Sequence, residues 1–196
     1  KDYRDFVVTA NGISQTDTLF SNFVKDLVVF ADKILKDQKM AASLGLKVTE
    51  SYPCSKGKDC HEYLEHPYSG LAREALIKNL EAIDHAFNGS KNKSATIYDF
   101  SLNRYLEEAG VTITKDNKGV QVSELIETFS ALPEGSAFYG LFANAYTDSD
   151  SDLVIKESNQ AFQAFQELKQ LTDWLKTDFV MDLNTNLPGT VQGDND

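Results

Sequence analysis

Leu19-Phe-Ser-Asn-Phe-Val-Lys-Asp-Leu-Val-Val-Phe-Ala-Asp-Lys-Ile-Leu35 is the stretch that decides the fold. Leu19, Phe20, Phe23, Val24, Leu27, Phe30, Ala31, Ile34 and Leu35 recur at three- and four-residue steps. A helix winding at about 3.6 residues per turn gathers such positions on one face, whereas a strand would alternate them. Thr16 or Asp17 suits the N-cap, and Gly45 stops the helix after Leu44.

The same period returns downstream. Leu71, Ala75, Leu76, Leu80, Ile83, Ala86 and Phe87 form a stripe over about 70–88, with Ser69 as a start cap and Gly89 at the end. A shorter helix is expected through Ile97, Phe100, Leu102, Tyr105 and Leu106, closed by Gly110. Another starts at Ser123, runs through Leu125, Ile126, Phe129 and Leu132, and ends at Pro133. Phe138 to Tyr146 adds a helical turn or two. The last long helix is expected from about Asp152 to Leu183, burying Val154, Ile155, Phe162, Phe165, Leu168, Leu171, Trp174, Leu175 and Phe179.

Two stretches depart from this period. Phe6-Val7-Val8 reads as a short strand or a buried turn. In Val111–Val122, alternating β-branched runs flank Asp116-Asn-Lys-Gly119, which reads as a small hairpin or an extended loop. Long helices joined by polar connections bury their stripes against one another. The expected fold is therefore all-α, an up-and-down helical bundle with a small β-hairpin insertion. Residues 1–196 are expected to form one domain, with 184–196 as a flexible tail.

Composition agrees with a globular chain. It has 196 residues, 41% hydrophobic and 25% charged, enough to bury a core without a metal. Thirty acidic residues against nineteen basic ones give a formal charge of −11. Such a surface repels nucleic acid and anionic lipid, which demotes both as partners. No apolar run reaches the roughly 18 residues that a membrane-spanning helix needs. The chain opens on Lys1-Asp2-Tyr3 without Met or a signal-peptide pattern, so it is expected to be processed or cut from something longer.

Cys54 and Cys60 lie close together in a polar connection over 46–68, with Gly57 easing the turn between them. A local disulfide is expected, and with it an oxidising compartment. A loop this short restricts the unfolded chain little, so the bond contributes only about 2 kcal/mol.

Candidates for chemistry are few. His61-Glu-Tyr-Leu-Glu-His66 resembles a zinc-peptidase motif, but its histidines are five apart, about 140° around a helix rather than on one face. Pro67 also works against a continuous helix there. The weightier reading is a turn beside the disulfide loop, leaving His61, Glu65 and His66 as candidates for a looser metal site. Asp148, Asp150 and Asp152 alternate as at the start of a calcium loop, yet Leu153 and Asn159 stand where that loop needs Gly and Glu. An acidic N-cap cluster for the last helix accounts for them better. His85 lies on or beside an apolar stripe, as a boundary or core residue. Trp174, Phe162 and Phe165 keep helical spacing and are expected in the core.

Three segments together resemble a known family. Leu71-Ala-Arg-Glu-Ala-Leu-Ile-Lys-Asn-Leu-Glu-Ala-Ile-Asp-His-Ala-Phe-Asn-Gly89, then Ile97-Tyr-Asp-Phe100, then Glu167–Phe179 with the closing Gly193-Asp-Asn-Asp196, are similar to imelysin-like proteins. The resemblance spans roughly residues 20–196. It implies an all-helical protein of the bacterial periplasm or outer membrane, often a lipoprotein, linked to iron uptake and named as a peptidase. That family pairs two helical bundles, and its metal motif, G-x-H-x-x-E, belongs to the N-terminal one. Here Asp59 and Leu64 stand at the corresponding places around His61, so no metal ligands carry over. The chain then corresponds to the C-terminal bundle, with iron or zinc in the intact protein and a metal ion or an envelope protein as partner. The rival readings are a metallopeptidase acting through His61, Glu65 and His66, and a structural domain that docks an envelope protein.

Overall fold

The computed structural model describes residues 13–48, 50–51, 53–54, 60–65, 69–89, 102, 122–149 and 152–180. Five helices and one antiparallel hairpin make up the described chain. Helix α1 spans Ile13–Val29 and continues unbroken through Phe30–Ala41 in the wider i→i+5 winding of a π-helix. Thr16 and Asp17 therefore lie inside α1 rather than capping it.

The far end of α1 is as expected. Gly45 adopts φ 66°, and Leu46 N–H donates to the Ala41 carbonyl (2.8 Å) while Gly45 N–H donates to that of Ala42 (3.0 Å). These two bonds form the Schellman closure, which satisfies carbonyls left over at a helix end.

A disulfide-linked 3-10 turn, Cys60–Tyr63, precedes α2, Ala72–Asn88. Leu71 occupies the N-cap without a side-chain bond, and Ser69 instead accepts from Leu71 N–H just upstream (3.4 Å). Gly89 ends the helix at φ 76°, donating to the His85 carbonyl. Then follow α3 (Val122–Ala131) and α4 (Gly135–Ala143). Of the expected helix near 97–106 only Leu102 is described, helical and buried. The Phe6-Val7-Val8 segment, all of 111–121 and the tail 184–196 lie outside the described residues.

The hairpin that is described sits elsewhere, and corrects the last helix. Strands β1 (Tyr146–Ser149) and β2 (Asp152–Ile155) pair with Tyr146 opposite Ile155 and Thr147 opposite Val154. Asp152 therefore starts a strand, and helix α5 begins only at Gln160, running to Trp174 with a π continuation over Leu175–Phe179. Leu153-Val-Ile155 favours extended backbone, with β-branched residues at two of its three positions. Tyr146 is buried and Thr147 exposed, and Val154 is half exposed while Ile155 is less so, the two-residue alternation of a strand. The cap of α5 is Asn159, whose Oδ1 accepts from Phe162 N–H (3.1 Å) while its Nδ2 donates to the Leu141 carbonyl (2.7 Å).

Helix α1 packs against α5 and α2, and α3 packs against α2 and α5, so the four close a ring. Their stripes meet in one core. Phe87, Trp174 and Phe179 interlock there, with ring centroids 5.2–5.9 Å apart. Helix α4 lies across α2, α5 and the 3-10 turn. No helix among the described residues is long and apolar enough to cross a membrane.

Arg73 fixes how α2 meets the α3–α4 corner. It is 8% exposed, and its Nη1 donates to the Ser130 (2.8 Å) and Leu132 (3.1 Å) carbonyls, while Nη2 reaches Glu134. The guanidinium thus covers carbonyls at the end of α3, where the helix dipole favours a cation. Beside it Gly70 (φ 70°) approaches Gly135 so closely that a Cβ would stand 3.1 Å from its Cα. Arg73→Ala is expected to lower unfolding stability by about 2–3 kcal/mol in urea titration, and Arg73→Lys to recover little, because an ammonium lacks the fork. Gly70→Ala should cost at least about 1 kcal/mol in the same measurement, from the left-handed backbone alone.

Candidate functional site

The expected disulfide is present. Cys54 and Cys60 are joined at a sequence separation of 6, with Cα atoms 5.3 Å apart. Cys60 is buried and opens the 3-10 turn; Cys54 is half-buried.

The turn places His61 against α4 and Glu65 against α1. The His61 ring lies edge-on to Tyr139 of α4, centroids 4.6 Å apart. Glu65 pairs with Lys39 of α1 at 2.6 Å. His66 lies outside the described residues. Among the described residues, no group of three or more His, Cys, Asp or Glu side chains is placed to hold a metal ion.

The remaining candidates separate. Asp148 stands opposite Leu153 and Asp152 opposite Ser149 in the hairpin, so neither belongs to a helix cap. Asp150 is outside the described residues. His85 is exposed, not on the buried stripe. Trp174 and Phe165 are buried and Phe162 half-buried, as expected for core.

A cluster that the sequence reading did not single out lies where the π segments of α1 and α5 meet. Asp32 is fully buried, with Lys36 Nζ at 2.9 Å and Lys176 Nζ at 3.2 Å. Lys36 is also fully enclosed and reaches Asp37 at 3.2 Å. Asp37 in turn pairs with Lys47 at 3.0 Å, and Lys33 stands 3.5 Å from both carboxylates. Burial alone would raise the Asp32 carboxyl, but Lys36 and Lys176 outweigh it and hold it below its ordinary 3.8. Burial alone would lower Lys36, and Asp32 and Asp37 outweigh that and hold it above 10.5.

Chemically the cluster is a set of mutually neutralised ions. A carboxylate held ionised by two ammonium groups is a poor general base, and a lysine held protonated is no nucleophile. The missed signal was Asp32-Lys-Ile-Leu-Lys36, an acid and a base at i and i+4 within an apolar stripe.

Compared with family models, characterised proteins and solved structures, the chain matches none of them.

The pH dependence of stability follows from the two shifts. Asp32, lowered in the fold, contributes stability that is present above 3.8 and lost as pH falls through its folded value. Lys36, raised in the fold, contributes stability that is present below 10.5 and lost as pH rises through its folded value. Asp32→Ala removes the carboxylate that Lys36 and Lys176 share, leaving Lys36 with Asp37 alone, and should cost about 3 kcal/mol by urea unfolding at neutral pH. Replacing Asp32 and Lys36 together by Leu and Met should cost less than the single change, because the enclosed Lys36 cation is then no longer short of a partner.

Proposed function

We propose that this chain is a binding module of the bacterial cell envelope, the C-terminal bundle of an imelysin-like protein that serves iron uptake or iron binding, without a catalytic role of its own. The observation that carries the compartment is the Cys54–Cys60 disulfide, which belongs to an oxidising environment. The helical bundle supports the kinship suggested by the segments at 71–89, 97–100 and 167–179.

Two arrangements favour binding over catalysis. Glu65 is engaged by Lys39, and Asp32 and Asp37 by lysines. The sharpest acid–base candidates are therefore quenched within the fold. In this reading any metal sits in another part of the intact protein, and this bundle supplies a rigid acidic surface beside it.

Two measurements test the proposal. Anaerobic titration of the folded chain with Fe(II), and separately with Zn(II), should give no saturable one-to-one binding. A stoichiometric site that vanishes in a His61→Ala, His66→Ala variant would place the metal here and end the idea of a site elsewhere. In the source bacterium, the protein's abundance in the envelope fraction should rise when iron is withheld. A constant level, or a cytosolic location, would sink the envelope iron role.

A further inference from the structure

We propose that Cys54 is the sulfur at which a low-molecular-weight thiol exchanges with this protein, and that Cys60 is the buried sulfur that leaves and then restores the bond. The two halves of the disulfide are unequally placed. Cys60 is 1% exposed and begins a turn fixed from three sides. Leu64, four residues on, is buried in the core; Glu65 is paired with Lys39 at 2.6 Å; and His61 stands against Tyr139. Cys54 is only half-buried and follows the exposed Pro53.

Exchange requires a thiolate to approach a sulfur along the S–S axis, so the reachable sulfur is the one attacked. The incoming thiolate forms a bond to Cys54 Sγ, the Sγ–Sγ bond breaks, and its electron pair leaves on Cys60 Sγ. Nothing is oxidised or reduced overall beyond this exchange of partners. The leaving thiolate is then on a residue only 1% exposed, where other thiols reach it little. Only six positions along the chain separate it from Cys54. Cys60 therefore attacks Cys54 Sγ, expels the small thiol and closes the staple again. The asymmetry directs the attack to one sulfur and returns the protein to its cross-linked form.

The test uses the whole folded chain with excess reduced glutathione, quenched by acid and then alkylated with N-ethylmaleimide in denaturant. Cleavage at Lys56 or Lys58 separates the two cysteines for mass spectrometry. Glutathione on Cys54 with maleimide on Cys60 should exceed the reverse pattern by about tenfold or more. The same exchange in denaturant should label the two sulfurs comparably. An even or reversed partition in the folded chain would overturn the assignment. So would the absence of any adduct under conditions that modify the denatured chain, since Cys54 would then be out of reach.

Discussion

Two ions cannot be drawn out of water into a helical core unless each meets the other there, and that constraint organises this structure. Asp32 and Lys36 are both enclosed, within 2.9 Å of each other. Removing either charge from water costs several kcal/mol, and the return depends on geometry that only the assembled bundle provides. Lys176 arrives at Asp32 from α5, at 3.2 Å. The pair on α1 is thus completed only when α5 is docked in one register. Leucines in the same places would tolerate a slide of one helix along the other far better.

The periphery is pinned by contacts of the same kind but shorter reach. Tyr146 Oη donates to the Leu44 carbonyl, so the hairpin is tied to the closing turn of α1. Burial raises the Tyr146 phenol, which keeps its proton available for that bond. Lys39 ties α1 to the disulfide turn, and Arg73 ties α2 to the end of α3. In each case a polar side chain links two elements, by covering a carbonyl at a helix end or by pairing with a carboxylate. The disulfide belongs to this set. It secures the turn that carries Leu64 into the core, while the bundle stands on its apolar stripes.

Much of the bundle was legible because apolar spacing is a direct consequence of helix geometry. Leu76, Leu80, Ile83 and Phe87 follow the stripe and are all buried. Gly45 and Gly89 stand at the helix ends as their positive φ requires. Sequence and structure part where two signals compete. Asp148 and Asp152 look like members of an N-terminal acidic cluster, yet they pair with Leu153 and Ser149 across the hairpin, and Asn159 is the actual cap. The ion cluster was missed for a deeper reason. A 3.6-residue period assigns Lys36 and Asp37 to the flank of α1, but the winding changes to i→i+5 from Phe30 onward. That change carries both residues inward beside Asp32. Single-sequence periodicity presumes a constant winding, and here the winding answers to tertiary contacts.

The fate of the basic residues bears on what the molecular surface can do. Lys36 and Arg73 are buried, and Lys33, Lys39, Lys47 and Lys176 are each at most about a fifth exposed at the side chain and paired with carboxylates. Glu134, the partner of Arg73, keeps its side chain 76% exposed. The inward-drawn lysines take Asp32 and Asp37 with them, and Asp84 is buried too, so the ions in the core leave the chain's excess of 30 acidic over 19 basic residues on the outside. The resulting field disfavours approach by phosphate backbones and anionic lipid headgroups, and it falls off within about 8 Å at physiological ionic strength. A field of that sign favours cationic or uncharged chemistry at the surface over anionic chemistry.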